Sequence, residues 1–214
     1  MFPHISVMWT LLLFAAAIEA LHFPAEFTMQ VMNYPNIVTQ REKCLPGRGL
    51  NQLQKTLVCD PREILNPDEV KLLNRQLLDL QASLNSDKKA CDEAYPRPTV
   101  AVALERRMQL GSSNGELIDY AAVYSYYLLE SWKLPGHCKS KLDRIIIFYS
   151  ADDGVLYTMA GEYIRQRLPI EDIQRIAVES SALFRSSIYE GLLYVIMQYR
   201  KILSSGRGAL YEGN

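Results

Sequence analysis

Two adjacent carboxylates, Asp152 and Asp153, follow directly on a strongly apolar run, Arg144 to Tyr149 (RIIIFY). A third, Glu105, closes a valine-rich run, Thr99 to Leu104 (TVAVAL), and is followed by Arg106 and Arg107. If both runs are parallel strands of one open sheet, all five residues emerge at its carboxyl edge, where ligands of such sheets bind. Three carboxylates there could hold a hard cation through oxygen ligands, and calcium is the candidate. With an arginine holding phosphate, Asp152 or Asp153 could also serve as nucleophile or metal ligand in phosphoester hydrolysis. The plainer reading is that Asp152-Asp153-Gly154 is a solvated turn, since Asp and Gly favour turns for backbone reasons. Arg106-Arg107 then sits in a solvated loop. Catalysis finds little further support. Gly111-Ser112-Ser113-Asn114-Gly115 lacks the P-loop pattern and its lysine, no G-x-S-x-G occurs, and His4, His22 and His137 are scattered. A non-catalytic binding domain is expected, with a secreted metal-dependent phosphoester hydrolase using Asp152 and Asp153 as the alternative.

Cysteine chemistry points to the compartment. Cys44, Cys59, Cys91 and Cys138 show no C-x-x-C spacing and have no histidine pair beside them, which argues against zinc. Four cysteines in an oxidising compartment imply two disulfides with three connectivities. Val7 to Ala17 is an apolar run followed by small residues suited to cleavage after Ala17 or Ala20, the pattern of a signal peptide. It is short for a membrane span, and the best later stretch, Gly191 to Met197, is shorter still. A secreted or extracellular chain is expected, held at a cell surface only through a partner.

The elements that must position these residues follow from periodicity. The expected organisation is a signal peptide over 1–20, an extended arm and disulfide-tied loop over 21–58, an α/β domain over 59–206 and a tail over 207–214. Asn66 can cap a helix, Pro67 suits its first position and Glu69 completes a capping box, with Leu65 and Val70 placed as a hydrophobic staple. Val70, Leu73, Leu77, Leu80 and Leu84 then recur at helical spacing. Thr99 to Leu104 reads as a strand buried on both faces. A second helix is expected from Glu116 to Lys133, stopped by Pro135-Gly136. Asp153-Gly154 separates the strand at Arg144 from Val155 to Met159, so these two should form an antiparallel hairpin. Pro169 opens another helix, and a last one spans Ser187 to Leu203, the pair being separate or one bent helix. The crossover makes the first two strands parallel. The expected fold is an α/β/α sandwich around a small mixed sheet. In it Cys91 and Cys138 share the edge where the strands begin, which pairs them and leaves Cys44 with Cys59.

Composition excludes some classes. The chain has 214 residues, 49% hydrophobic and 22% charged, with a formal net charge of -1. That provides one sizeable core and no basic stripe for nucleic acid. The 13 tyrosines include Tyr120, Tyr124, Tyr126 and Tyr127 on the second helix. Not all can face a core, so Tyr120, Tyr124 and Tyr127 are candidate partner contacts, against a plainer reading as edge packing. Gly161 and Gly191 read as backbone or packing positions.

The run Val58-Cys59-Asp60-Pro61 through Ile64-Leu65, followed by a capped helix, resembles the opening of TPM domains. More closely it resembles the nematode-type modulator of levamisole receptor family. Tyr34-Pro35-Asn36, the strand at Val100 to Leu104, Trp132 with Cys138, Tyr149-Ser150 with Asp152-Asp153, Gly161 and Glu190-Gly191-Leu192 occur in matching order. The resemblance spans about Asn33 to Leu203. It implies a Rossmann-like sandwich and an extracellular auxiliary subunit of acetylcholine-gated channels, whose partner is a receptor ectodomain. It also keeps a phosphatase-type activity in view. Members of that kind typically carry one transmembrane helix after the domain, and this sequence reaches Asn214 without one.

Overall fold

The computed structural model describes residues 23–46, 55–84, 98–112, 115–134 and 143–205. The elements, in chain order, are α1 (Ala25–Met32), α2 (Arg41–Cys44), β1 (Val58–Cys59), α3 (Pro67–Leu84), β2 (Thr99–Glu105), α4 (Leu117–Ser131), β3 (Arg144–Ser150), β4 (Val155–Ala160), α5 (Glu162–Arg165), α6 (Ile170–Ser186) and α7 (Ile188–Ser205).

The strands form one mixed sheet in the order β1-β2-β3-β4. β1 and β2 are parallel, β2 and β3 are parallel, and β4 returns antiparallel to β3. Every residue of β2 and β3 is buried, because these central strands carry helices on both faces. Successive strand residues point to opposite faces, which assigns the layers. Phe148 stacks on Tyr124 of α4, and its neighbour Tyr149 stacks on Phe184 of α6. The Tyr199 hydroxyl of α7 donates to Thr158 Oγ1 across a residue paired with Ile147, so α7 shares the α6 side. α3 packs on α7 and against β1 and β2, while α1 packs on α4.

The capping box at α3 forms as expected. Asn66 Oδ1 accepts from the Glu69 amide at 2.9 Å, and Glu69 Oε2 accepts from the Asn66 amide at 2.8 Å. The antiparallel hairpin also forms, with Gly154 at φ 64° in its turn. α6 and α7 are separate helices, divided by Ser187 at φ -157° and ψ 124°. A Cβ on Gly191 would lie 2.6 Å from the Phe184 ring, so its role is close packing.

Two expectations change. The arm over 21–58 contains the helices α1 and α2, and it ends in strand β1. Phe27 and Val31 are the buried face of α1. They are too few to show a period, and tertiary contact with the α4 aromatics stabilises the helix. A short helix, α5, follows Gly161. Cys44 and Cys59 form a disulfide with Cα atoms 4.4 Å apart. The pairing expected for Cys91 and Cys138, the stop at Pro135-Gly136 and the segment 1–20 all lie outside the described residues. No described helix is long and apolar enough to cross a membrane.

Candidate functional site

The carboxyl edge of the sheet opens into a groove of about 960 Å³. Its floor is the end of β2, its walls are the loop 106–111 and the hairpin turn, and α1 closes one side. All five residues singled out at this edge line it: Glu105, Arg106, Arg107, Asp152 and Asp153. They meet there because β2 and β3 run parallel in register, Glu105 opposite Ser150, so both strands release their chains at one level. The ladder continues past the strands, where the Ala151 amide donates to Glu105 O at 2.9 Å and the Asp152 amide to Arg106 O at 2.7 Å.

Each carboxylate is engaged by protein donors. Glu105 has a side chain only 3% exposed, and its Oε1 accepts from Arg62 Nε at 3.0 Å and from the Arg106 amide at 2.9 Å. Asp153 Oδ2 accepts from Ser150 Oγ at 2.5 Å and from the Met108 amide at 2.8 Å. Asp152 makes a long ion pair with Arg107 Nε at 3.9 Å. Glu105, Asp152 and Asp153 therefore share a groove without forming a cage. Among the described residues no group of three or more His, Cys, Asp or Glu is arranged to hold a metal ion.

Tyr120 and Tyr124, expected as partner contacts, belong to the core. Tyr120 meets Phe27 edge-on at 4.8 Å and Phe23 at 5.3 Å. Tyr124 is 0% exposed, stacked on Phe148 at 4.4 Å and edge-on to Tyr34 at 5.4 Å. Burial, reinforced by the nearby Glu105 charge, raises this phenol well above the usual tyrosine range. Tyr127 is half-buried against the core, and Tyr126, 56% exposed, is the ring that α4 leaves open. The physical reason is α1, whose aromatic face covers the tyrosine stripe and which periodicity in the arm does not announce.

Residues outside the sequence-derived set hold the groove together. Arg62, in the turn after β1, supplies the cation beside Glu105. Gln30 of α1 clamps the loop, its Nε2 donating to Arg107 O and its Oε1 accepting from the Gln109 amide, each at 2.8 Å. Buried Asp60 accepts from the amides of Ile64 and Leu65, each at 2.9 Å, and so shapes the turn that carries Arg62. The Tyr34 hydroxyl lies 2.8 Å from Leu104 O and 3.1 Å from Cys59 O, tying the arm to the ends of β1 and β2. Burial, then the charges nearby, raise the Tyr34 phenol well above its ordinary value. Pro35 O accepts from Trp132 Nε1 at 3.0 Å, and Asn36 Nδ2 donates to Ser131 O at 3.0 Å. Tyr34-Pro35-Asn36 is thus a splice between arm, sheet edge and the end of α4. The visible signal was that motif together with Cys59-Asp60-Pro61; Gln30 had none, because its partners are backbone atoms some 80 residues away.

Comparison with known proteins agrees with this architecture. No curated protein matches the chain. The solution NMR structure of the N-terminal domain of a P. gingivalis protein is similar in fold, with TM-score 0.55 and 16% identity over 82% of this chain and 92% of that one. The NMR structure of BA42 protein from the psychrophilic bacterium Bizionia argentinensis bears a weaker likeness, with TM-score 0.46 and 16% identity over 67% of this chain and 84% of that one. The family model described as Modulator of levamisole receptor-1 matches residues 29–154, more than half of the chain. That stretch contains the second half of α1, the Tyr34-Pro35-Asn36 splice, the Cys44–Cys59 disulfide and the whole groove. The chain belongs to the modulator of levamisole receptor-1 family.

Proposed function

We propose that this protein is a non-catalytic extracellular interaction domain that acts as an auxiliary to acetylcholine-gated receptor channels. The observation that carries the reading is the family match over residues 29–154, named for a receptor modulator. The geometry supports it. Glu105 and Asp153 are bound to Arg62, Ser150 and backbone amides, which makes these two scaffold for a surface rather than groups poised for hydrolysis. The Cys44–Cys59 disulfide favours an oxidising compartment, as secretion to the cell surface would provide.

The test is co-expression of the full chain with an acetylcholine-gated channel in oocytes. Agonist-evoked current should change in amplitude or time course, and the channel should co-purify with the chain. Unchanged currents together with no co-purification, across the channels of the native tissue, would refute the reading.

A further inference from the structure

α4 is apolar nearly all round, its charged residues being Asp119 and Glu130. A helix of that composition belongs in an interior, whereas a surface helix carries charge along its outer side. Yet α4 is covered on one side only among the described residues. It packs on β3 and β4, with α1 alongside. Ile118, Ala122 and Tyr126, each four positions from the next, form an open stripe on its outer face, with Ile118 43% and Tyr126 56% exposed. The apolar surface extends to the neighbouring helix. Nine large apolar side chains are exposed among the described residues, and five of them, Met29, Met32, Leu117, Ile118 and Tyr126, lie on α1 and α4. The other four are spread over α3, α6 and α7. Single exposed apolar residues are ordinary, but a concentration of them marks an interaction site.

The charge pattern of this layer is one-sided. α1 and α4 hold no lysine or arginine, and β4 beneath α4 holds no charge at all. The charged residues are acidic: Glu26 on α1, Glu116 at the start of α4, and Asp119 and Glu130 along it. Glu116 and Asp119 are exposed. Lys133 follows the end of α4, and the groove arginines lie past the other flank of α1, where Gln30 reaches Arg107 O. The helices on the opposite face of the sheet, α3, α6 and α7, mix both signs.

We infer that the outer face of α4 docks an amphipathic helix of a partner protein, its apolar stripe against Ile118, Ala122 and Tyr126 and its lysine or arginine side chains beside Glu116 and Asp119. This rests on the interaction-domain reading and adds the surface and the partner's chemistry. A second copy of the chain fits less well, because a two-fold pairing of this face sets its carboxylates against one another. An anionic lipid surface is repelled by the same carboxylates.

The experiment uses the full, disulfide-intact chain and a fluorescein-labelled peptide of leucine and lysine, about 18 residues long so that it forms an amphipathic helix, read by fluorescence anisotropy. The comparator carries glutamate in place of lysine. Saturable binding of the leucine–lysine peptide that weakens with salt is expected, with the glutamate peptide at least about tenfold weaker. Ile118→Ser/Tyr126→Ser should lose at least about tenfold in affinity, because the two side chains supply the apolar anchor. Both are exposed, so the variant keeps the fold, which circular dichroism verifies. Val178→Ser, an exposed apolar site on α6, should bind as wild type does. No saturable binding, equal binding by the double variant, or equal binding of the glutamate peptide would overturn the inference. So would a dimer in sedimentation that the double variant abolishes, which would make a second copy the occupant. Adsorption to phosphatidylcholine–phosphatidylserine vesicles that the double variant abolishes would overturn it in favour of a membrane. Channel co-purification is read on the same proteins. If the double variant still co-purifies fully, this inference falls and the receptor reading stands. If wild type binds the peptide through this face yet retains no channel, the receptor reading falls and the α4 docking surface stands.

Discussion

Removing Arg62 tests whether Glu105 depends on its partner. The Glu105 side chain is 3% exposed and Arg62 is 52% exposed, with 3.0 Å between Nε and Oε1. At that spacing the raw attraction is about 1.4 kcal/mol in bulk water and about 5.5 kcal/mol at an effective dielectric of about 20. The half-exposed arginine places the pair between these limits, and desolvation of Glu105 offsets part of the gain. The Arg106 amide still donates to the carboxylate at 2.9 Å, so Arg62→Met does not leave it wholly unpaired. The expected cost of Arg62→Met is therefore about 1–3 kcal/mol. Much of that is the penalty of leaving a buried charge behind, so Glu105→Gln introduced second should restore part of the loss. The assay is urea unfolding of wild type, both single variants and the double variant, with the disulfide intact and the slope unchanged. A coupling energy of about 1–2 kcal/mol is expected from the cycle. A loss below about 0.5 kcal/mol for Arg62→Met, or a coupling indistinguishable from zero, would refute the view that this pair shapes the groove.

Replacing Cys44 and Cys59 together by serine releases a loop of sequence separation 15, and should cost about 3 kcal/mol by the chain-entropy relation, measured by the urea midpoint. Gly191→Ala places a methyl 2.6 Å from Phe184 and should destabilise by about 1–3 kcal/mol; an unchanged melting temperature would show that the ring yields freely. Asp153→Ala removes the acceptor of the Met108 amide and the Ser150 hydroxyl, so hydrogen exchange at Met108 should accelerate while the core of β2 stays protected. Burial raises the Tyr34, Tyr124 and Tyr199 phenols, the last partly offset by its bond to Thr158. Their folded values stand above the unfolded value of about 10, so the folded state holds its protons more tightly, and this stability is present below about pH 10 and lost as pH rises. Ultraviolet titration should show a fraction of tyrosines that ionise only when the chain unfolds; a smooth titration of all of them in the folded protein would contradict the burial.

Local chemistry alone determined much of this protein. The Asn66–Glu69 box, the valine and isoleucine runs of β2 and β3, and the turn at Gly154 are decided by neighbours a few residues apart. Their order implied a parallel pair, and that pair already brought Glu105, Arg106, Asp152 and Asp153 to one edge. Tertiary structure alone decided the rest. Whether Tyr120 and Tyr124 face a partner or the core depends on α1, whose position is set by ring contacts across some 90 residues of chain. Which donors occupy Glu105 and Asp153, and so whether the carboxylates form a cage or a scaffold, depends on Arg62 and on the loop pinned by Gln30. Hydrogen bonds and packing act through space at a few ångströms, and a linear pattern records them only where the partners are also close along the chain.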